Sequence, residues 1–284
     1  MKRLLAVFLA FTLVSALVFI GCGRNTAPQP VSQAAAQSHT ITVGGSTSVA
    51  PLMEMFKEEY ERANTHITVT ISASGSGDGI RGAAAGTFEI GMSSRDLTPA
   101  EKGTDIQEIV VAIDGIGVIV NSSNPANDLT QAQLRDIYTG AVTHWEQLGA
   151  AARGKSGAIA VVSRESGSGT RGAFEEILRF QDQLVRGAIE FNSTGAVKAE
   201  VSRNVDAIGY ISLGSVDNTI NVLSIDGVEP TTANVVSGSY RIARPFILMT
   251  RRSTTLNPST RAFLDWAMGN DGQSLVSRSW IRVN

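Results

Sequence analysis

Short apolar runs alternate with glycine- and serine-rich loops in the first half of the chain. Residues 41–43 and 67–71 are rich in β-branched side chains and predict two strands. Residues 51–64 carry apolar side chains at helical spacing, and residues 79–85 predict a shorter helix. Another strand is expected at residues 89–92. Strands that alternate with helices indicate a parallel sheet, so the predicted fold class is α/β.

The same order of elements returns farther along the chain. Residues 130–138 predict a helix with threonine at its N-cap, and residues 159–162 predict a strand. An amphipathic helix at residues 172–180 and a strand at residues 206–211 follow. Residues 258–276 predict a C-terminal helix with an apolar face. The chain therefore contains two successive α/β patterns.

Two longer apolar stretches do not fit a simple alternation. Residues 106–120 are too β-branched for a good helix and long for one strand, and an Asp-Gly pair interrupts them midway. Residues 240–250 carry Pro245 near their middle. Two extended segments far apart in sequence, each with a breaker, favour two lobes joined by two hinge crossings, near Asp114 and Ala243. The predicted lobes are residues 40–114 with 244–284, and residues 115–243.

The N-terminus predicts export. Lys2 and Arg3 precede an apolar run at residues 4–20, which is typical of a signal peptide. A single membrane span needs about 20 apolar residues, so a span of marginal length is the alternative. Phe-Ile-Gly-Cys at residues 19–22 resembles the lipobox of bacterial lipoproteins, which favours a signal peptide at residues 1–21.

Cys22 is the only cysteine in the chain, so an intramolecular disulfide is excluded. Its place directly after the apolar run predicts lipidation and an exported protein anchored at the membrane, in the periplasm or on the outer face. Residues 22–39 are rich in Ala, Gln, Pro and Ser and predict a flexible tether.

Composition narrows the class of partner. The chain has 284 residues, of which 43% are hydrophobic, enough to bury one large core or two smaller ones. With 24 Lys and Arg against 26 Asp and Glu, the formal net charge of -2 gives no reason to expect a nucleic-acid partner. An anionic ligand would have to be held by local groups.

Three loops of Ser, Thr and Gly each follow a predicted strand and precede a predicted helix. They lie at residues 45–48, 74–77 and 166–170. A helix N-terminus offers unpaired N–H donors and partial positive charge, and hydroxyls add further donors, so such a loop suits a tetrahedral oxyanion. Any single loop could be an ordinary N-cap with a tight turn. Their recurrence in both predicted lobes favours a shared anion site.

Arginine supplies the candidate charge. Arg164 precedes the third loop, and its planar fork of donors can give a buried oxyanion two hydrogen bonds. The alternative for Arg164 is a surface salt bridge with Glu165. Arg95 is a second candidate, whereas Arg171 is expected to be a solvated residue of a first helical turn.

Other chemistries have weaker support. The pattern G-x-G-x-x-G occurs at residues 77–82 and 167–172, which keeps a dinucleotide site open, although export argues against it. No G-x-S-x-G surrounds the loop serines, and there is no H-E-x-x-H or thiol pair. We therefore expect no catalytic residues, no metal and no cofactor.

With these motifs on the page, the chain resembles the phosphate-binding lipoproteins of phosphate ABC transporters, which have the two-lobed type II periplasmic-binding-protein fold. The most specific pieces are GGSTSVAP at residues 44–51, IGMSSR at residues 90–95 and SRESGSGT at residues 163–170. The resemblance implies a ligand buried between the lobes. The binding residues it implies are Thr47, Ser48, Ser76 and Ser94 of the first lobe, Arg164, Ser168, Gly169 and Thr170 of the second, and Arg95 as added charge.

The chain departs from this family at two positions. Many relatives place a carboxylate against the ligand where this sequence has Ser94 and Ser166. A buried carboxylate is how a site favours protonated phosphate over sulfate, and Asp78, Asp96 or Glu165 could take that role here.

The resemblance implies a monomeric binding protein that captures inorganic phosphate and delivers it to an ABC permease. Another oxyanion such as sulfate is the alternative ligand. An exported phosphatase-like enzyme and a sensory lipoprotein are alternatives of a different class.

Overall fold

The computed structural model describes residues 37–283. The predicted signal peptide, Cys22 and the tether up to residue 36 lie outside the described residues. Within residues 37–283, nine strands form one sheet in the order β2-β1-β3-β11-β4-β8-β6-β7, with β9 paired to β4, and two more strands form a small second sheet. No helix in this part of the chain is long and apolar enough to cross a bilayer.

The first α/β pattern forms as predicted. Its elements are β1 (His39–Gly45), α1 (Ala50–Ala63), β2 (Ile67–Ala73), α2 (Ser76–Ala85) and β3 (Ile90–Ser93). Strand β1 pairs in parallel with both β2 and β3, because each connection returns through a helix. Helix α1 begins with a proline in its first turn and buries an apolar face against the sheet.

The segment at residues 106–120 is one continuous strand, β4 (Ile106–Asn121), so the predicted interruption at its Asp-Gly pair is wrong. Gly115 lies within this strand, and a Cβ built on it would stand 2.4 Å from Cδ1 of Leu213. The glycine thus permits close packing instead of ending the strand.

The second apolar segment forms β11 (Ala243–Arg251), antiparallel to β4. The register of the β4–β11 pair shifts between Phe246 and Ile247, directly after Pro245. Proline inside a sheet is tolerated next to such an irregularity, which explains why it does not end the strand.

The second α/β pattern lies between β4 and β11 in sequence. Strand β6 pairs in parallel with both β7 and β8, and β8 pairs antiparallel with β4. Its elements are β5 (Asp128–Leu129), α4 (Gln131–Thr139), β6 (Ala160–Arg164), α5 (Gly169–Leu178), β7 (Ile189–Phe191), α6 (Thr194–Arg203), β8 (Ala207–Ser212), β9 (Ile220–Val222), β10 (Ser224–Ile225) and α7 (Thr232–Val236). Two 3₁₀ helices are also present, at Trp145–Ala152 and Leu213–Ser215.

Three further helices complete the chain. A short helix, α3 (Pro99–Lys102), precedes β4. The predicted C-terminal helix is instead two helices, α8 (Pro258–Met268) and α9 (Asn270–Val276). They are separated by Gly269, whose extended backbone breaks the helical path.

The buried apolar residues fall into two sets. Two clusters draw their fully buried members from residues 41–112 and 246–280, and two others draw theirs from residues 116–242. We call these parts the first lobe and the second lobe. Strands β4 and β11 run from one lobe into the other, as a two-lobed fold requires. The predicted boundaries at Asp114 and Ala243 stay a prediction.

Candidate anion-binding site

The candidate site lies where several strands of the sheet end. The loops after β1, β2 and β3 in the first lobe, and after β6 and β7 in the second, lead into helix N-termini or turns. Parallel strands present their carboxyl ends at one edge of a sheet, which brings these loops together. Helices α2 and α5 each begin three residues earlier than predicted, so the loop residues Ser76 and Gly169 occupy first helical turns.

Hydroxyl groups of the two lobes contact one another directly. Oγ of Ser48 lies 2.8 Å from Oγ1 of Thr170 and 3.0 Å from Oγ1 of Thr194. Oγ1 of Thr47 lies 3.2 Å from Oγ1 of Thr194 and accepts the backbone N–H of the same residue. All four side chains are buried. The predicted loops at residues 45–48 and 166–170 therefore meet in one place.

Two more serines of the first lobe extend this group. Oγ of Ser76 accepts the backbone N–H of Ser94 at 3.2 Å, and Oγ of Ser94 lies 3.4 Å from Oγ1 of Thr170. A Cβ built on Gly169 would stand only 2.3 Å from Oγ of Ser76 and 2.9 Å from Oγ of Ser94. A glycine is therefore required at position 169 for this approach of the two lobes. We call this group the hydroxyl cluster: Thr47, Ser48, Ser76, Ser94, Thr170 and Thr194.

The backbone also joins the lobes beside the hydroxyl cluster. The N–H of Gly77 donates to the carbonyl oxygen of Gly167 at 3.0 Å. The first glycines of the two G-x-G-x-x-G matches thus face each other across the cleft.

Arg164 is the buried cation of the site, with 2% of its side chain exposed. Its Nε and Nη2 donate to the two carboxylate oxygens of Glu165, at 3.0 and 2.9 Å. Its Nε also donates to the carbonyl oxygen of Phe191, and its Nη1 lies 3.5 Å from Oγ1 of Thr194. The pair with Glu165 exists, but it is not the surface salt bridge considered as the alternative. It orients one edge of the guanidinium towards the hydroxyl cluster.

Of the three carboxylates considered for ligand selectivity, Glu165 lies at the cleft. Its Oε1 is 3.4 Å from a Cβ position built on Gly75 of the opposite lobe. Asp78 instead pairs with the exposed side chain of Arg81, and Asp96 is exposed.

The structure places Arg95 outside the hydroxyl cluster. Its Nη1 and Nη2 donate to the two carboxylate oxygens of Glu101, both at 2.8 Å. The hydrogen bond from Arg95 lowers the pKa of Glu101 to about 2. Because this carboxylate neutralises the guanidinium, Arg95 serves α3 and the loop before it.

Two other residues have structural roles at the start of α5. Oγ of Ser168 accepts the N–H of Arg171 at 3.3 Å and so caps the helix. The expectation that Arg171 is solvated is wrong, because its side chain pairs with Glu175 and Glu190 and is 15% exposed. Its Nη1 also donates to the carbonyl oxygen of Arg164 at 2.8 Å, which fixes the end of β6.

Sequence reasoning missed Thr194. It begins α6, whose N-cap is Ser193, and its hydroxyl lies within 3.5 Å of Thr47, Ser48 and Arg164. The signal was present, since Asn-Ser-Thr-Gly at residues 192–195 is a fourth hydroxyl-rich loop between a strand and a helix. The strand before it, β7, has only three residues and no clear apolar pattern.

A family model described as a PBP superfamily domain matches residues 30–271. The chain belongs to the PBP superfamily. Among curated members, the phosphate-binding protein PstS of Borreliella burgdorferi is 30% identical over 247 residues, which cover 83% of this chain and 87% of that protein. The PstS protein of Bacillus subtilis is 31% identical and covers 84% of this chain and 78% of its own length.

A solved structure of the superfamily agrees closely with this chain. The X-ray structure of a phosphate ABC transporter substrate-binding protein from Clostridium perfringens, with bound phosphate, has a TM-score of 0.83 and 39% identity. The match covers 87% of this chain and all of the other. The two-lobed architecture of this superfamily member is therefore shared along almost the whole described chain.

Proposed function

We propose that this protein captures inorganic phosphate between its two lobes and delivers it to an ABC permease. The observation that carries the proposal is the hydroxyl cluster, in which buried Ser and Thr side chains of both lobes meet beside one buried arginine. Donors from helix N-termini, hydroxyls and a guanidinium are the groups that hold a desolvated tetrahedral oxyanion. The phosphate-binding names of its relatives support this ligand.

The proposed action is binding without catalysis. Each hydroxyl of the cluster contacts another hydroxyl, a backbone N–H or Arg164, and none of these contacts pairs a serine with a histidine base. The anion is captured on one lobe, and closure of the second lobe completes its hydrogen bonds.

Glu165 is the proposed source of selectivity between phosphate and sulfate. It takes the place of the carboxylates that many relatives have at positions 94 and 166. A carboxylate oxygen at the cleft accepts a proton-bearing oxygen of phosphate, whereas sulfate carries no proton at neutral pH and is repelled.

Delivery to a permease implies a location outside the cytoplasm. We propose that the protein acts as a monomer and is held at the membrane through a lipid on Cys22. The relatives with the same transport role support this arrangement. Mass spectrometry of membrane-extracted protein would detect a diacylglyceryl adduct on Cys22.

The test of ligand binding is calorimetry of the Arg164→Gln variant with phosphate and with sulfate. Loss of charge-assisted hydrogen bonds should weaken phosphate binding by about 100-fold or more. The control is Arg203→Gln, which removes an exposed arginine paired with Glu200 on the outer part of α6.

Thermal unfolding would verify that both variants remain folded. Phosphate affinity of Arg164→Gln equal to that of the wild type would remove Arg164 from the site. A wild-type protein that binds neither anion, or that turns over a phosphomonoester, would overturn the proposed function.

A further inference from the structure

A buried ion pair joins the two strands that run between the lobes. Asp114 of β4 and Arg244 of β11 are directly opposite each other in the antiparallel register. Nη2 of Arg244 donates to Oδ2 of Asp114 at 3.0 Å, and the two side chains are 2% and 1% exposed. Any rotation of one lobe against the other takes place around these strands, so the pair lies at the centre of the crossing.

The two ends of this pair differ in their hydrogen bonds. The second carboxylate oxygen of Asp114 accepts the hydroxyl of Ser212 at 2.8 Å. Nε and Nη1 of Arg244 have no hydrogen-bond partner among the residues that the structure describes, and the guanidinium carbon lies 5.6 Å from the ring centroid of Phe246. Buried N–H groups without a partner are costly and call for a functional explanation. The unsatisfied part of the pair is its positive part.

The topology places this positive group near the anion site. Ser212, which bonds Asp114, is the last residue of β8, and Arg164 is the last residue of β6. These two strands are parallel neighbours, so Arg164 and the hinge pair lie towards the same edge of the sheet. Burial lowers the pKa of Arg244 to about 10, and the positive charge of Arg164 contributes to that lowering. The two buried guanidiniums therefore interact, although they lie in different lobes' connections.

We propose that Arg244 is a second cationic determinant of anion affinity, which acts on the bound anion through space from the hinge. Asp114 holds the guanidinium in place and offsets part of its charge. An anion bound beside Arg164 relieves the repulsion between the two arginines. This inference rests on the proposed anion-binding function and extends it to residues that belong to none of the hydroxyl-rich loops.

The inference predicts effects of opposite sign for the two partners. Arg244→Gln removes positive charge and should weaken phosphate binding by about 10-fold, the size expected for one charge acting across a partly screened interior. Asp114→Asn removes the offsetting negative charge and should strengthen phosphate binding. A purely structural role of the pair would make both single variants bind more weakly, because both break the same ion pair.

The experiment is calorimetry with inorganic phosphate at pH 7.5 and low salt, on the full chain. Arg244→Lys keeps the charge and should stay within about threefold of the wild type. The matched control is Arg251→Gln, which breaks the pair with Asp105 on the same strand at a half-exposed position and should not change affinity. Thermal unfolding would show which variants fold.

Weaker binding by Asp114→Asn, or wild-type affinity in folded Arg244→Gln, would overturn the inference. Should Arg244→Gln fail to fold, the comparison of Asp114→Asn and Arg244→Lys with the wild type decides the question. Failure of the wild type itself to bind phosphate would instead overturn the proposed function, and that result is separate from any difference among the variants.

Discussion

The hydroxyl groups of the site can serve both the closed protein and a ligand. A serine or threonine hydroxyl donates one hydrogen bond and accepts others, so Ser48, Thr170 and Thr194 satisfy one another at 2.8 to 3.0 Å. Each can turn its proton towards an anion without leaving a buried charge behind. Arg164 differs, because its guanidinium only donates and needs the carboxylate of Glu165 as a permanent acceptor.

At the same scale, Gly169 should control how closely the lobes approach. We predict that Gly169→Ala weakens phosphate binding by about 10-fold or more, because a Cβ at 2.3 Å from Oγ of Ser76 is a clash that must move one lobe. The free energy of unfolding should stay the same or rise slightly, since alanine is the better helix former. Calorimetry and urea denaturation would measure the two quantities.

The matched control for that substitution is Gly195→Ala in the first turn of α6. A Cβ at this position meets no atom within 4 Å, so affinity should be unchanged. Equal affinities of Gly169→Ala and Gly195→Ala would show that the close approach at Gly169 has no role in binding.

At the scale of elements, helix caps hold the scaffold that presents the site. Thr130 begins α4 with a capping box: its hydroxyl accepts the N–H of Gln133, and the Gln133 side chain accepts the N–H of Thr130. We predict that Thr130→Ala lowers the free energy of unfolding by about 1 kcal/mol and leaves phosphate affinity unchanged. Urea denaturation would measure the stability, and Thr130→Ser, which retains the cap, should behave like the wild type.

Element boundaries show where local patterns succeed and fail. The predicted helix at residues 130–138 was confirmed because its cap, apolar spacing and following glycine are all local signals. The strand at residues 106–121 was misread because an Asp-Gly pair usually marks a turn. In the folded protein Gly115 is needed for contact with Leu213, a residue almost 100 positions away. No local pattern contains that contact.

At the scale of the whole molecule, the ion pair at the crossing couples stability to pH. Burial raises the pKa of Asp114 to about 6, although Arg244 and Ser212 oppose this shift. Tyr240 is the other titratable group near it, and its own pKa is raised by burial and by the Asp114 charge. A carboxyl whose folded-state pKa is raised holds its proton more tightly in the native state, so its contribution to stability is greatest below about pH 4.

We therefore predict that this contribution is lost as pH rises from about 4 to about 6, by an amount on the order of 3 kcal/mol. Urea denaturation of the wild type and of Asp114→Asn across this range would measure it. The difference between their unfolding free energies should shift against the wild type as pH rises. A difference that stays constant over the whole range would contradict the raised pKa.

The sequence by itself determined the elements of the two α/β patterns, three of the hydroxyl-rich loops and the choice of Arg164, because periodicity and turn chemistry are properties of neighbouring residues. The tertiary structure alone decided that these loops meet, that Thr194 joins them and that Arg95 pairs with Glu101. It also paired Asp114 with Arg244 across 130 positions of sequence. Such contacts depend on the register and packing of distant strands, and a neighbouring residue carries no signal of either.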